Sequence, residues 1–592
     1  MWYRWTYPQF SFINLSIDQH QAKKIAKDYL RVEYGVNPDL FIAATVFSGR
    51  PMPDRYLQKA IGFDAQLKFL HDYDYELFFW ETRFFRENQE EQFTVTVSAA
   101  TGEVSSFTHT IKENEERPDY GKEEARKKAI TFLEKRFGFN PDHYNAISNL
   151  THIYDNRSNH SFAWAHKDVY IPWSENPQKG GAKLLTGVTI CGDEILSFYK
   201  NKLNIPNEFS RYMARIQNTG KNLLVLVRLL YFGLICAATF FVIARRTSLL
   251  LNQLKKKCLI ITAGIFIIEA VLYLNGFEYL LFDYPTTSSF HSYFWRFFSN
   301  QILEIFMLAM VFLLPVLAGE SLHYEVFPQK RDRTFLHYFR TTVLSRETSA
   351  LIAIGYSTAI IMLGLQSLIF HFGQRFFGVW SEQRWMTNFT GSYIPFLAPF
   401  ILAITASINE ETMFRLFSIS LGKKILRNTW LAVITASIIW GFCHSDYPVY
   451  PMWFRGVEVS MLGLFLSIVY LNLGIIPVLI AHYLFNAFWS SSNFLLGQTH
   501  PSLFYSSLTV LILPLAWAII AFLKNKKTTP TPIVWHLSQH QQDNANILRY
   551  YLRNHPKELA GQSREEVIAK FVDQGWDIAI IETVLAQQEL SE

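Results

Sequence analysis

Ile394-Pro-Phe-Leu-Ala-Pro-Phe-Ile-Leu-Ala-Ile-Thr-Ala-Ser-Ile-Asn-Glu-Glu-Thr-Met-Phe-Arg-Leu-Phe-Ser-Ile-Ser-Leu421 is an almost unbroken apolar run with two carboxylates and a guanidinium set inside it. A membrane helix needs about 20 apolar residues, and this run supplies them. An ionisable group at that depth costs roughly 2.5–3.5 kcal/mol, so Glu410, Glu411 and Arg415 have a reason to be there. On a helix Glu411 and Arg415 are i and i+4, the orientation that favours an ion pair. That pairing neutralises one carboxylate and leaves Glu410, on the adjacent face, free to accept a proton.

Outward from this stretch, about nine spans are expected, near 221–244, 258–276, 300–320, 348–371, 394–421, 429–445, 456–473, 475–495 and 503–523. The alternate loops are basic. Arg245, Arg246 and Lys255–Lys257 follow the first span, and Lys330, Arg331, Arg333, Arg340 and Arg346 follow the third. Lys423, Lys424 and Arg427 follow the fifth, and Lys524, Lys526 and Lys527 the ninth. The positive-inside rule places these loops and the C-terminus in the cytoplasm. An odd number of spans then puts residues 1–215 on the outer face of a multi-pass cell-membrane protein. Met1–Leu15 lacks a basic start followed by an apolar run, so no cleavable signal peptide is expected there. A translocated domain needs such a signal, which leaves open a further upstream span or a span count off by one.

Composition agrees with a chain of unlike parts. Half of the 592 residues are hydrophobic, with 51 Phe, 29 Tyr and 15 Trp, yet mean hydropathy is only +0.08. The average hides polar residues 1–215, apolar 220–525 and polar 528–592. A net charge of +5 is too small and too dispersed to imply a nucleic-acid partner. Cys191, Cys236, Cys258 and Cys443 have no CxxC spacing, which supports neither a disulfide framework nor a Cys-ligated zinc site.

The N-terminal part is a duplication. Ala22-Lys-Lys-Ile-Ala-Lys-Asp-Tyr-Leu-Arg-Val-Glu-Tyr-Gly-Val-Asn-Pro-Asp39 recurs without a gap as Ala125-Arg-Lys-Lys-Ala-Ile-Thr-Phe-Leu-Glu-Lys-Arg-Phe-Gly-Phe-Asn-Pro-Asp142. Ala22, Ala26, Tyr29 and Leu30 fall at helical spacing, ended by Gly35 and Pro38. Phe93–Val97 alternates as a half-buried strand, and Gly102-Glu-Val104 turns into another. Leu184–Cys191 and Gly192-Asp-Glu-Ile195 are their counterparts. Each copy is therefore a helix followed by a small antiparallel sheet, and is similar to PepSY-type domains. That resemblance implies a sensing or inhibitory module, with repeats at 1–110 and 111–215; a purely structural ectodomain is the plainer alternative.

Two further polar clusters lie in apolar surroundings: Trp440-Gly-Phe-Cys-His444 ending the sixth span, and His482-Tyr-Leu-Phe-Asn486 in the eighth. His482 and Asn486, at i and i+4, share a helix face. Counted at about 1.5 Å per residue from the basic Lys423–Arg427 loop, Glu410 lies about 20 Å along its helix and His444 about 23 Å along the next. From the turn at Gly474, Asn486 lies about 18 Å in and His482 about 12 Å. One shared polar pocket is feasible. Each motif alone has a plainer reading, as a helix-end salt bridge or as polar glue between helices; the conjunction favours the pocket. Glu269, Glu304 and Glu458, isolated in or near other spans, are expected to be packing or interface residues.

EExxxR, then an aromatic-xxx-His, then HxxxN on separate spans resembles the CAAX-protease and bacteriocin-processing (CPBP, or Abi) family. Gly463-Leu-Phe-Leu-Ser-Ile-Val-Tyr-Leu-Asn-Leu-Gly474 resembles the family's approach to its last motif, and the likeness covers roughly 390–500. Trp440 departs from the family's usual Phe. The resemblance implies an intramembrane endopeptidase acting on a peptide or membrane-protein substrate. Glu410 and His444 would then activate water, His482 and Asn486 would hold the scissile carbonyl and its oxyanion, and Glu411 with Arg415 would organise the pocket. A divalent metal such as zinc on Glu410, His444 and His482 stays open beside a metal-free glutamate mechanism, which is slightly preferred. The rival function is a non-proteolytic scaffold, sensor or bacteriocin-immunity protein. HExxH, a GxSG-type nucleophile and paired aspartates in an apolar span are absent from the sequence. Beyond the remaining membrane segments, 220–380 and 501–525, residues 528–592 are expected to be a linker over 528–545 and a helical hairpin. A Ser563–Glu566 capping box opens that hairpin.

Overall fold

The computed structural model describes residues 14–174, 180–245, 249–327, 330, 333–335, 337–338, 343–381, 387–526, 537, 539–556 and 561–589. Arg246, Arg331, Arg340, Lys527, most of the 528–545 linker and the Met1–Ile13 part of the leader reading lie outside them.

The duplication appears as two copies of one unit joined edge to edge. Helix α1 (Gln19–Glu33) buries Ala22, Ala26, Tyr29 and Leu30, and α2 (Lys122–Phe137) buries Ala125, Ala129 and Leu133 at matching positions. After each helix the repeated Asn-Pro-Asp forms a one-turn 3-10 helix. Asn37 and Asn140 cap it, their side-chain oxygens accepting the N–H of Asp39 and Asp142. Four strands follow in each copy: β1 (Ile42–Gly49), β2 (Phe78–Phe85), β3 (Gln92–Ser98) and β4 (Val104–Thr110), then β5 (Tyr144–Ile153), β6 (Ser158–Pro172), β7 (Gly181–Cys191) and β8 (Glu194–Asn204). They form one eight-stranded sheet in the order β1-β2-β3-β4-β8-β7-β6-β5, antiparallel throughout. Two small sheets were expected; pairing of the last strand of each copy, Phe107 opposite Phe198, fuses them into one. Only the first copy carries two helices, Pro51–Ile61 and Phe63–Asp72, between its first two strands.

Among the described residues, seven helices are long and apolar enough to cross a membrane. They are α3 (Asn207–Ala244), α4 (Leu249–Asn275), α5 (Phe290–Val326), α6 (Arg346–Phe377), and, later in the chain, α9 (Met452–Leu473), α10 (Ile475–Leu496) and α11 (Pro501–Lys524). The other two expected spans take different forms. α8 (Thr429–Phe442) is short, and α7 runs as Leu397–Glu411, a π-helical Thr412–Ser418 and Ile419–Leu426. Membrane-crossing helices pack closely through small residues, and Gly319 of α5 does so here. A Cβ on it would stand 2.9 Å from Leu416 Cγ and 3.1 Å from the Phe417 backbone, inside the π-helical turn.

The bundle has two unlike ends. At one, Glu325 pairs with both Arg245 and Lys424, and Lys526 N–H donates to the Leu344 carbonyl, so the basic loops meet. At the other, the sheet domain docks on the loops. Glu278 accepts from Thr45 N–H at 2.8 Å and Lys23 Nζ at 3.1 Å, Gln19 Nε2 donates to the Gly391 carbonyl at 2.9 Å, and Asn14–Leu15 pairs with Gln498–Thr499.

Among the described C-terminal residues the two helices of the expected hairpin, α13 (Arg564–Asp573) and α14 (Ile578–Glu589), are preceded by a third, α12 (Gln539–Asn554). The Gln/Asn-rich start of α12 looks like linker, but Ala545, Leu548 and Leu552 lie on one face and join Val567, Phe571 and Ile581 in a separate small core. The Ser563–Glu566 capping box is formed.

Candidate active site

The π-helical segment begins one residue after Glu411, and such segments gather at functional sites because the extra residue re-aims side chains. Arg415 lies within it, 1 % exposed, and its Nε stands 3.1 Å from Oε2 of the fully buried Glu411. This is an ion pair without an aligned hydrogen bond, since the guanidinium nitrogens have no hydrogen-bond partner among the described residues. The guanidinium instead stands over the face of Trp440, its Cζ 4.0 Å from the ring centre, a cation–π contact that desolvation strengthens.

The indole N–H of Trp440 donates to Glu410 Oε2 at 2.5 Å. Glu410 is therefore held on one side, a restraint that the sequence reading did not include. Room for the indole comes from Gly463 of α9, where a Cβ would stand 2.7 Å from the ring carbon Cε3 of Trp440. His444 follows the end of α8, and its Nδ1–H donates to the Trp440 carbonyl at 2.9 Å. His482 of α10 donates its Nδ1–H to Glu411 Oε1 at 2.6 Å. Because both partners are acceptors, the proton is assigned to Nδ1 in each ring. Both Nε2 atoms then face Glu410 Oε2, each 3.8 Å from it. That separation exceeds a hydrogen bond and suits a water or substrate oxygen between them.

Glu410, Trp440, His444 and His482 line one cavity of about 660 Å³, which also takes in Asn486, Tyr447, Arg455, Glu269, Glu304 and Asn409. Asn486 lies one helical turn beyond His482. Glu458, expected to be a packing residue, is one: Arg455 and Gln366 Nε2 (3.0 Å) both donate to it. Glu269 and Glu304, placed with it in the sequence reading, face the cavity instead. The long gap between 269 and 410 in the chain hid that.

Two imidazole Nε2 lone pairs and a carboxylate are suitable donor types for a divalent cation, and both rings have an outer partner on Nδ1. The arrangement does not close around one, however. Among the described residues no group of three His, Cys, Asp or Glu side chains is placed to hold a metal ion, and Glu410 Oε2 already accepts the indole N–H.

Comparison with known proteins bears on the same segment. Residues 391–488 match the family model described as Type II CAAX prenyl endopeptidase Rce1-like. The matched segment is similar to an Rce1-like module. It runs from α7 to α10 and includes Glu410, His444, His482 and Asn486. Over 134 residues the chain is also 28 % identical to the sporulation-killing factor biosynthesis protein SkfC of Bacillus subtilis (strain 168), covering 22 % of this chain and 27 % of that one. The match thus spans about a quarter of that relative's length. No solved structure matches. The apolar helices, with the match over 391–488, make this a multi-pass membrane protein.

Proposed function

We propose that the protein is an intramembrane endopeptidase that hydrolyses a peptide bond in a membrane-associated protein or peptide, with Glu410 as the base. The convergence of His444 and His482 Nε2 on one oxygen of Glu410, 3.8 Å from each, carries this reading. A water in that gap gives a proton to Glu410 as its oxygen attacks the scissile carbonyl carbon. The Asn486 amide stabilises the oxyanion, joined by His482 in the form that carries a proton on Nε2 as well as on the Nδ1 anchored to Glu411. The C–N bond then breaks as the proton held by Glu410 passes, directly or through His444, to the leaving nitrogen. Acid and amine products result, and no other reactant is consumed. Glu411 and Arg415 keep His482 and Trp440 in place and touch no reacting atom.

The basic end of the bundle is placed in the cytoplasm by the positive-inside rule, and the sheet domain on the outer face. The test uses the full chain in proteoliposomes with quenched hydrophobic peptides. Hydrolysis by wild type and its loss in Glu410→Gln, at equal folded yield, is the expected result. Equal hydrolysis by both would remove Glu410 from the chemistry.

A further inference from the structure

The cavity continues beyond Glu410. Its α7 wall is Leu402, Thr405, Ala406, Asn409 and Glu410, the stripe of a single helix face. Opposite stand Glu269 and Tyr273 of α4 and Glu304 of α5.

The carboxylates around this space differ in how they are matched. Glu410 has the Trp440 indole N–H, Glu411 has Arg415 and His482, and Glu458 has Arg455 and Gln366. Glu269 is only 5 % exposed, yet its Oε1 has no hydrogen-bond partner among the described residues. The neighbouring Thr405 hydroxyl, which donates at 3.0 Å to the Ile401 carbonyl, is also in hydrogen-bond reach of this carboxyl, so Oε1 is the oxygen left without a donor.

Two independent groups repeat the pattern. Asn409 Oδ1 and Gln366 Oε1, on residues that are each 5 % exposed, are also unpartnered and line the same cavity. The Gln366 amide is fixed by its donation to Glu458, so the oxygen is the end left over. An unsatisfied buried acceptor is unfavourable, and more so when it is charged. Three helices thus bring acceptors without donors to one cavity. Glu304, exposed beside the outward-facing Leu303, Phe306 and Met307, carries the acidic wall to the surface of the bundle.

We propose that the pocket of Glu269, Asn409 and Gln366, entered past Glu304, is a substrate subsite for a lysine side chain. An ammonium offers three donors and the charge that Glu269 lacks. The inference rests on the endopeptidase reading only in making the occupant part of the cleaved peptide. Thr405, which faces Glu269, precedes Glu410 by five residues, about 7–8 Å along the helix. An extended peptide advances about 3.3 Å per residue, so the lysine sits about two or three residues from the scissile bond.

The test measures binding apart from turnover. Full-length Glu410→Gln protein in nanodiscs is titrated with two fluorescent Leu/Ala peptides that differ at one position, lysine or norleucine. The expected result is about tenfold tighter Kd for the lysine peptide. Adding Glu269→Gln should abolish that preference while the norleucine Kd stays unchanged, which also reports an intact fold. Equal Kd values without the Glu269 change, no binding of either peptide, or a lysine preference that survives Glu269→Gln would each overturn the subsite. Should Glu269→Gln lose both peptides, Glu269→Asp decides: a retained lysine preference supports the proposal and a lost one overturns it. Cleavage of the same peptides by the Glu410-intact chain is scored separately. A lysine preference without cleavage keeps the subsite and sinks the hydrolase reading, and cleavage without preference does the reverse.

Discussion

The indole N–H of Trp440 donates to Glu410 at 2.5 Å while the Arg415 guanidinium lies 4.0 Å above the same ring. One aromatic side chain therefore links the candidate base to the buried ion pair. A phenylalanine keeps the face for Arg415 and removes the N–H. Trp440→Phe is expected to lower kcat/KM by about tenfold, the value of one charge-assisted hydrogen bond. Trp440→Ala loses the stacking as well and should fall further. Steady-state peptide hydrolysis measures both, and an unchanged Trp440→Phe would show that the indole only fills space.

Glu411 bears on stability. It is fully buried, holds His482 Nδ1 at 2.6 Å and is the counter-charge of Arg415. Glu411→Gln leaves a buried guanidinium without its anion, a change that costs about 3–5 kcal/mol. A lower Tm of the solubilised protein and a lower folded yield are expected. A Tm equal to wild type would mean that Arg415 finds its compensation elsewhere.

The donors around Glu410 do not close on a metal, so hydrolysis should survive exhaustive chelation within about twofold, far less than the 10²-fold or greater loss that follows removal of a catalytic electrostatic group. Activity assayed after dialysis against a chelator, with and without added zinc, decides this. Loss on chelation with recovery on zinc would assign Glu410, His444 and His482 to a metal after all.

The sheet domain carries its own pH dependence. Burial pushes the Glu76 carboxyl up to about 7 against the opposing Ser98 hydrogen bond, with Asp74 and Glu103 adding to the rise and Arg50 working against it. The folded state therefore binds this proton more tightly than the unfolded chain does. The resulting stabilisation is full below the ordinary value near 4.5 and is lost as pH rises toward 7. About 3 kcal/mol is involved. Chemical unfolding of the whole chain at several pH values should show the decline, and Glu76→Gln should flatten it. An unchanged slope in the variant would place the titration on another group.

Much of this was legible in the residues, for identifiable reasons. The Ala22 repeat placed two helices that share three buried positions, Ala22/Ala125, Ala26/Ala129 and Leu30/Leu133, because small residues at helical spacing have few other uses. The i,i+4 spacing of Glu411 and Arg415 foretold their approach. Other features depend on direction, which a sequence does not carry. An aromatic at 440 is plain, but whether its N–H edge meets Glu410 depends on the space left at Gly463. The π-helical turn over Thr412–Ser418 reads as ordinary apolar helix, and Gly319, against which it packs, lies on another span. Glu269 looked like a packing residue, since nothing along the chain links it to Thr405 and Asn409. The first C-terminal helix was hidden by its Gln/Asn-rich start, although Ala545, Leu548 and Leu552 already marked its buried face.

The central claim is that Glu410 cuts a peptide bond. Its most direct test compares the N- and C-termini of membrane proteins from cells expressing wild type or Glu410→Gln at matched levels. New termini found only with wild type are the predicted result, and they would also name the substrate. Identical termini in both, with a phenotype rescued equally by both, would contradict proteolysis and turn attention to the duplicated sheet domain as the working part.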